Sequence, residues 1–453
     1  MTNAPLMLSV SGIRGIVGET MTPEVVETFA NAFVSFLSEK LGRLPVLCVA
    51  RDSRPSGPSL QNAVASAFVR CGCTVTDLGV VATPTASVMI HALGADGGMI
   101  VTASHNPTPW NGLKCLDENG LAPSKKAAED IIRRFHECLS LEPKEDGCLQ
   151  VNTQGNDTHI AKLFGLIDPG PIRKKRFRVV LDSINGAGCV SGLKCLELLG
   201  CEVLHLNGEP TGEFAHTPEP KAENLTDLAE KVEMFDADVG FAQDPDADRL
   251  AIVDETGFYF GEEYTLVLAA MRWLEEHPNT SVATNLSTSR MIDDVAKSHG
   301  CSTWRSAVGE ANVANMMKEH GCVIGGEGNG GVIFPEVCWV RDSLAGIVLT
   351  LDLMRRKNKP LSNIVRSVKS YEMIKRSIDL KDLGGIPAIE KEIERLKMEY
   401  ANDKLDDSDG LRIDFEEGWV HVRPSNTEPI ARVIAEASDS LTAYKLSNRV
   451  KLS

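Results

Sequence analysis

Aromatic side chains are scarce, 5% of the 453 residues, which speaks against an aromatic-rich β-sandwich. Basic residues are not in excess: 47 Lys and Arg face 63 Asp and Glu, a formal charge of −16. A chain built to hold nucleic acid needs a basic face for the phosphates, so no nucleic-acid partner is expected. The twelve cysteines include no Cys-x-x-Cys pair and no zinc spacing with histidine, so they read as reduced, mostly buried thiols. No apolar run, the stretch 266–271 among the longest, approaches the roughly 18 residues of a membrane helix. The first residues carry no basic stretch ahead of apolar ones, so no export signal is read and a cytoplasmic protein without a membrane partner is expected. What is present is ordinary globular material, 43% hydrophobic and 24% charged with 38 glycines, enough for two to four domains of aliphatic strands and glycine-rich loops.

Along the chain, helical and strand-like patterns alternate. Thr22 reads as an N-cap with Pro23 at the first helical position, and Val25, Phe29, Phe33 and Leu37 then fall on one face. Strands follow at 46–50, 74–78 and 99–101, with helices at 60–69, 86–92 and 124–139; this alternation predicts largely parallel sheets. The breaker-rich stretch 142–147 reads as a boundary, closing a first domain at 1–150. The basic run Arg173-Lys174-Lys175-Arg176 is expected to be a solvated entrance to the strand 177–181. That strand opens a second α/β unit, 151–255, and a third starts near Gly257 and runs over 256–368. Beyond residue 370, strands at 373–378, 411–415 and 419–423, a helix at 387–398 and a last helical stretch from 441 predict a smaller α+β domain, 369–453.

Four loops have the residues for chemistry. In Asp244-Pro245-Asp246-Ala247-Asp248-Arg249, alternation along an extended loop would point three carboxylates the same way, where they repel unless a divalent cation lies among them. Hard oxygen donors favour Mg²⁺ or Ca²⁺. An EF-hand is excluded because Arg249 stands where the turn glycine belongs and the flanks read as strands. A solvated acidic turn is the plainer alternative. In Thr102-Ala103-Ser104-His105-Asn106-Pro107, Ser104 follows an apolar strand end, where ligands bind in open α/β sheets. A nearby cation would help it act as a nucleophile; a Ser/Asn/Pro turn explains the same residues without chemistry.

The glycines of Gly325-Gly326-Glu327-Gly328-Asn329-Gly330-Gly331 permit close backbone approach, and Glu327 and Asn329 suit hydroxyl groups; a tight turn is the alternative. Arg423-Pro424-Ser425-Asn426-Thr427 offers a guanidinium, hydroxyls, an amide and backbone N–H groups able to enclose a phosphate, or is a connecting loop. Arg14, between Gly12 and Gly15, and Lys114, shortly after the serine loop, are further candidate anion-binding groups.

In this order along the chain, from Gly12 to Pro429, these segments resemble the α-D-phosphohexomutase family, most specifically at Thr102 to Pro107 and Asp244 to Arg249. The resemblance implies three related α/β units with mixed, largely parallel sheets plus a C-terminal α+β domain around a central cleft. It implies an isomerase whose phosphorylated Ser104 passes its phosphoryl group to a hexose 1- or 6-phosphate, through a hexose 1,6-bisphosphate intermediate. Asp244, Asp246 and Asp248, with a Ser104 phosphate oxygen, would hold Mg²⁺. Arg14, Lys114 and Arg249 would line the reacting phosphate, with Lys114 or Arg14 assisting proton transfer and His105 beside the substrate. Glu327 and Asn329 would bind sugar hydroxyls, and Arg423, Ser425, Asn426 and Thr427 would hold the phosphate that does not react.

Relative to the glucose and mannose branch of that family, Asn329 and Gly331 stand where Ser and His are common, and Pro245 stands where many members have Gly. The run from Arg423 to Pro429 is closer to the glucosamine-phosphate and archaeal-type branches. The expectation is therefore a monomeric or homodimeric enzyme acting on a phosphosugar, leaning to glucosamine phosphate, with glucose and mannose phosphates as the alternative. A metal-dependent phosphatase would use the same Ser and carboxylates, and a calcium-binding module would need only the acidic loop.

Overall fold

The computed structural model describes residues 6–425 and 430–450. They fall into two compact units, one of residues 1–269 with 330–362 and one of 270–329 with 363–453. The expected third stretch, 256–368, is thus shared between the two.

The first unit is built on a seven-stranded sheet ordered Met7–Ser9, Gly12–Ile16, Trp110–Leu116, Gly97–Val101, Val46–Arg51, Thr74–Val80, Cys148–Val151. Its helix Pro23–Leu41 begins as read: Thr22 Oγ1 accepts from the Val25 N–H, Pro23 opens the first turn and Gly42 closes the last at φ 67°. The buried face is Val26, Phe29, Phe33 and Leu37, so Val26 replaces the expected Val25, which is only half-buried. The sheet is less parallel than expected. Val46–Arg51 pairs parallel with both neighbours and Thr74–Val80 with Cys148–Val151, but the other three pairings are antiparallel. Residues 142–147 connect two parts of this one sheet, because Cys148–Val151 beyond them pairs with Thr74–Val80.

Arg14 lies in the strand Gly12–Ile16. Gly12, at φ 132°, is required there: a Cβ would come within 1.9 Å of the Leu113 carbonyl oxygen on the neighbouring strand. A second sheet, Leu250–Asp254, Val239–Gln243, Arg178–Asp182, Glu202–Leu206, supplies the acidic hairpin. The run 173–176 is exposed at its entrance, as expected. Helix Ser343–Lys357, buried from Ser343 to Met354, has no solvent face and hence no readable 3.6-residue stripe, which is why the sequence did not show it.

In the second unit, the parallel strands Ser302–Ser306, Ser281–Asn285 and Ile324–Glu327 carry helices Met291–Ser298 and Glu310–His320. The five-stranded antiparallel sheet runs Glu372–Asp379, Ile430–Ala437, Gly418–Pro424, Leu411–Asp414, Lys404–Asp406. Helices Ile386–Glu399 and Ser440–Arg449 complete the expected α+β part, whose core includes Ile389, Val420, Val433 and Leu446. All twelve cysteines are free and nine are buried, and burial pushes the Cys48 thiol up to about 12. Among the described residues no helix is long and apolar enough to cross a membrane.

Candidate active site

The Ser104 loop is held from beneath by a wholly buried arginine that sequence reasoning overlooked. Arg54 uses all five guanidinium N–H groups: Nε on Asp52 (3.0 Å), Nη2 on the Ser104 and Asn106 carbonyls (2.6 Å each), Nη1 on those of Pro107 (2.9 Å) and Trp110 (3.1 Å). Thr102 Oγ1 donates to Asp52 (2.6 Å) and accepts from the Ser104 N–H (2.9 Å). Ser104 itself is left-handed, φ 50°, a conformation that a residue with a Cβ adopts only when its surroundings enforce it. Burial pushes the Asp52 carboxyl up, against the pull of Arg54 and the Thr102 hydrogen bond. Lysine cannot supply five donors in a plane. Arg54→Lys should therefore lower the melting temperature by several degrees and cut turnover at least about tenfold, read by thermal melting and by assay, because carbonyls are left unpaired and the loop loosens.

The acidic segment is a turn, not the extended run expected. Ala247 is left-handed at φ 52° and its N–H donates to the Asp244 carbonyl (2.9 Å), which gathers the three carboxylates by folding the chain back. One oxygen of each of Asp244, Asp246 and Asp248 lies within 4.8 Å of the others. Oxygen ligands about 2.0–2.6 Å from one divalent cation span at most about 5 Å across it. Asp244 Oδ1 accepts from the Asp248 and Arg249 N–H groups (3.0 and 3.1 Å), and Thr83 Oγ1 donates to Asp246 (2.7 Å). Asp246 Oδ1 and Asp248 Oδ1 are buried without any hydrogen-bond partner. Two orphaned carboxylate oxygens in a three-carboxylate cage are what a hard cation would satisfy, so these residues fit a divalent metal.

Cations surround the cage. Lys114 Nζ donates to Asp246 (2.5 Å) and Asp248 (3.1 Å), and Arg341 Nη2 to Asp248 (2.7 Å). Burial and the charges of Asp248 and Asp246 push Asp244 well up. Burial also opposes ionisation of Asp246 and Asp248, but Lys114 outweighs it at the first, and Arg341, Lys114 and Arg249 at the second, so both are held below the usual carboxylate range. Ser104 Oγ lies 3.3 Å from Asp244 Oδ2. Arg14 Nη1 donates to Asn106 (3.0 Å), and burial lowers its pKa. His105, 3.5 Å from Ser104 Oγ, is pushed down to about 2 by burial and by Arg249 and Arg14, so it is neutral in any physiological medium. The structure thus gathers Ser104, His105, Arg14, Lys114, Arg249 and the three aspartates in the first unit, and adds Arg54 and Arg341. Arg54 was findable, since it occupies a polar loop at a strand end just as Ser104 does. Arg341 carries no local motif.

In the second unit, Gly325 and Gly326 are strand residues rather than loop, and a Cβ on Gly325 would press to 2.6 Å from the Ala283 carbonyl oxygen. They place the buried Glu327 at the strand end, where Oε1 accepts from Asn285 Nδ2 (2.9 Å) and the Gly309 N–H (3.0 Å). Asn329 Nδ2 lies 3.4 Å from Glu327 Oε2, while its Oδ1 is buried without a partner. Arg423 ends the strand Gly418–Pro424; its Nε lies 2.9 Å from the Asp409 carboxylate as an ion pair outside hydrogen-bond geometry, and its Nη2 is buried with no hydrogen-bond partner. The Ser425 N–H donates to the Ile430 carbonyl. Asn426 and Thr427 lie outside the described residues.

The fold is that of the four-domain α/β phosphohexomutases. The chain matches, in order, domains I, II, III and the C-terminal domain described as phosphoglucomutase/phosphomannomutase, at residues 7–141, 157–257, 261–371 and 380–451. It is 36% identical over 441 residues to a probable phosphoglucosamine mutase of Methanopyrus kandleri, covering 96% of this chain and 95% of that one. It is also 36% identical over 437 residues to a phosphoglucomutase/phosphomannomutase of Thermococcus kodakarensis, covering 94% and 93%. A crystal structure of a phosphoglucomutase/phosphomannomutase family protein from Burkholderia thailandensis superposes with a TM-score of 0.86 at 25% identity, over 98% and 97% of the two chains. The chain belongs to the α-D-phosphohexomutase family, and is a phosphohexomutase, an isomerase of phosphosugars.

Proposed function

We propose that the protein interconverts hexose 1-phosphate and hexose 6-phosphate through a phosphorylated Ser104, with glucosamine phosphate as the preferred substrate. The observation that carries this reading is Ser104 Oγ held in a left-handed turn 3.3 Å from Asp244, against a buried three-carboxylate cage with two oxygens that lack a hydrogen-bond partner. The residues that would hold the cation are Asp244, Asp246 and Asp248 with a phosphoserine oxygen; Mg²⁺ there would supply charge neutralisation to a transferring phosphoryl group. In the step, the bond from phosphorus to Ser104 Oγ breaks as one to the free sugar hydroxyl forms, and the proton lost by that hydroxyl passes, assisted by Lys114 or Arg14, to the released Ser104 Oγ, which becomes a neutral hydroxyl. The resulting hexose 1,6-bisphosphate turns over and its other phosphate returns to Ser104.

Arg14, Lys114 and Arg249, with Arg341 as a fourth cation, line the reacting phosphate, beside the neutral His105. Glu327 and Asn329 bind sugar hydroxyls, a role that the unpartnered acceptor Oδ1 of Asn329 suits. Arg423, Ser425, Asn426 and Thr427 hold the other phosphate, a role supported by the unpartnered Nη2 of Arg423. Each of the stretches 1–150, 151–255, 256–368 and 369–453 then brings one loop, for phosphoserine, metal, sugar and phosphate in turn. On the same reading the protein is a magnesium-dependent cytoplasmic phosphoprotein.

The preference for glucosamine rests on Asn329 and Gly331 and on relatives described as probable phosphoglucosamine mutases. Glucose and mannose phosphates are the second reading, favoured by the Thermococcus relative. Phosphorus NMR tests both. With Mg²⁺, a trace of hexose 1,6-bisphosphate and separate glucosamine, glucose and mannose 1-phosphates, a 6-phosphate signal should grow without inorganic phosphate, fastest for glucosamine. Release of inorganic phosphate in proportion to substrate would make the enzyme a phosphatase.

A further inference from the structure

Asp409 occurs in Asp406-Asp407-Ser408-Asp409-Gly410, a run that reads as nothing more than a polar hairpin turn. In the structure one of its carboxylate oxygens does two things. Oδ2 accepts from the Val308 N–H at 2.9 Å and lies 2.9 Å from Nε of Arg423. Val308 precedes Gly309, whose N–H donates to Glu327, so consecutive backbone N–H groups hold Asp409, the partner of Arg423, and Glu327. A second path closes the circuit. The Asp409 carbonyl accepts from His421 Nε2 (2.7 Å), and His421 Nδ1 then accepts from Ser287 Oγ (2.8 Å). The Ser287 N–H donates to Asn285 Oδ1 (2.8 Å), and Asn285 Nδ2 donates to Glu327 (2.9 Å).

Gly410 seals the contact. It is left-handed at φ 73°, and a Cβ there would be 2.2 Å from the Val422 carbonyl oxygen and 2.8 Å from the Cα and Cβ of Arg423. The turn is therefore pressed directly onto the arginine. Burial keeps His421 neutral, its pKa down to about 4, which suits a ring that donates on one side and accepts on the other.

We propose that Asp409 is a positioning residue, which fixes the Arg423 guanidinium relative to Glu327 so that the groups for phosphate and for sugar hydroxyls are spaced in advance for one hexose phosphate. This rests on the roles assigned above to Arg423 and Glu327. Electrostatics alone predicts the opposite consequence for its removal: a carboxylate beside a phosphate-binding arginine repels phosphate, so deleting it should tighten binding. Positioning predicts that deletion weakens binding, because an arginine free to swing must be ordered again each time substrate binds.

The test uses the full-length enzyme and whichever of glucosamine, glucose or mannose 1-phosphate turns over fastest, with a thermal melt of each variant. Asp409→Ala should raise KM about tenfold or more with a smaller change in kcat; an unchanged or lower KM overturns the proposal. Asp409→Asn keeps an oxygen in place and loses the charge, and should stay within about threefold of the wild-type KM; a defect as deep as that of Ala means the charge alone matters and also overturns it. Asp409→Glu keeps the charge and moves it by one methylene, and should raise KM; an unchanged KM overturns it. If the Ala variant does not fold, the Asn and Glu variants decide by themselves. Arg423→Lys separates this idea from the reading beneath it. If that variant leaves KM unchanged, the phosphate role of Arg423 fails; if it raises KM while the Asp409 variants are neutral, only the positioning role fails.

Discussion

Ser104→Ala should lower turnover at least about a thousandfold, because on the proposed mechanism the side chain that would carry the phosphoryl group is gone. The fold should survive. What holds the loop engages the Ser104 backbone: its N–H donates to Thr102 Oγ1 and its carbonyl accepts from Arg54. The Ser104 hydroxyl contributes only a 3.3 Å contact with Asp244 and a 3.5 Å contact with His105. Alanine has the same Cβ to accommodate at φ 50°, so the variant should melt within about 1 kcal/mol of the wild type. Mass spectrometry supplies a check independent of turnover: the wild-type protein should take up a phosphoryl group from hexose 1,6-bisphosphate, and the Ala variant should not. Near-normal turnover in the variant would remove Ser104 from the reaction.

Asp246→Asn should raise the Mg²⁺ concentration for half-maximal activity at least about tenfold, since a neutral amide replaces one of the three carboxylates proposed to hold the cation. The wild-type cage is costly without a cation: Asp246 Oδ1 and Asp248 Oδ1 are buried without a hydrogen-bond partner, and burial with two like charges pushes Asp244 well up. Binding a cation to the folded protein should raise its melting temperature, and a tenfold weaker site forfeits about 1.4 kcal/mol of that stabilisation at a saturating concentration. Comparing each variant with and without Mg²⁺ cancels what the substitution does to the apo protein through Lys114 and Thr83. Equal Mg²⁺-dependent shifts in the two proteins would take Asp246 off the list of ligands.

The candidate loops stood out because each is a short cluster of unusual composition at the end of a regular element. Three carboxylates in five residues repel, and glycines around a Glu signal close backbone approach; neither inference needs a distant partner. The helix at Thr22 was equally plain, as cap, proline and apolar stripe are all local. Elements with no contrast between faces were not legible. Helix Ser343–Lys357 is buried on every side from Ser343 to Met354, and the strand Ile430–Ala437, with three alanines, an arginine and a glutamate among aliphatics, reads as helix as readily as strand. The first sheet was expected to be more parallel than it is, because periodicity marks a strand without giving the direction of its neighbour.

By itself the sequence determined the α/β class, the family, and the identity of Ser104, Asp244, Asp246, Asp248, Glu327 and Arg423 as the residues to watch. Each of those conclusions depends on residue type and short-range spacing, and both are written along the chain. Tertiary structure alone decided that Arg54 uses four of its donors on the Ser104 loop, that Arg341 and Lys114 neutralise the acidic cage, and that Asp409 lies against Arg423. Those partners are about 14 to 132 residues apart in sequence. No local pattern encodes such pairs; they meet only once strands far apart in the chain share a sheet and a buried charge must find its counter-charge.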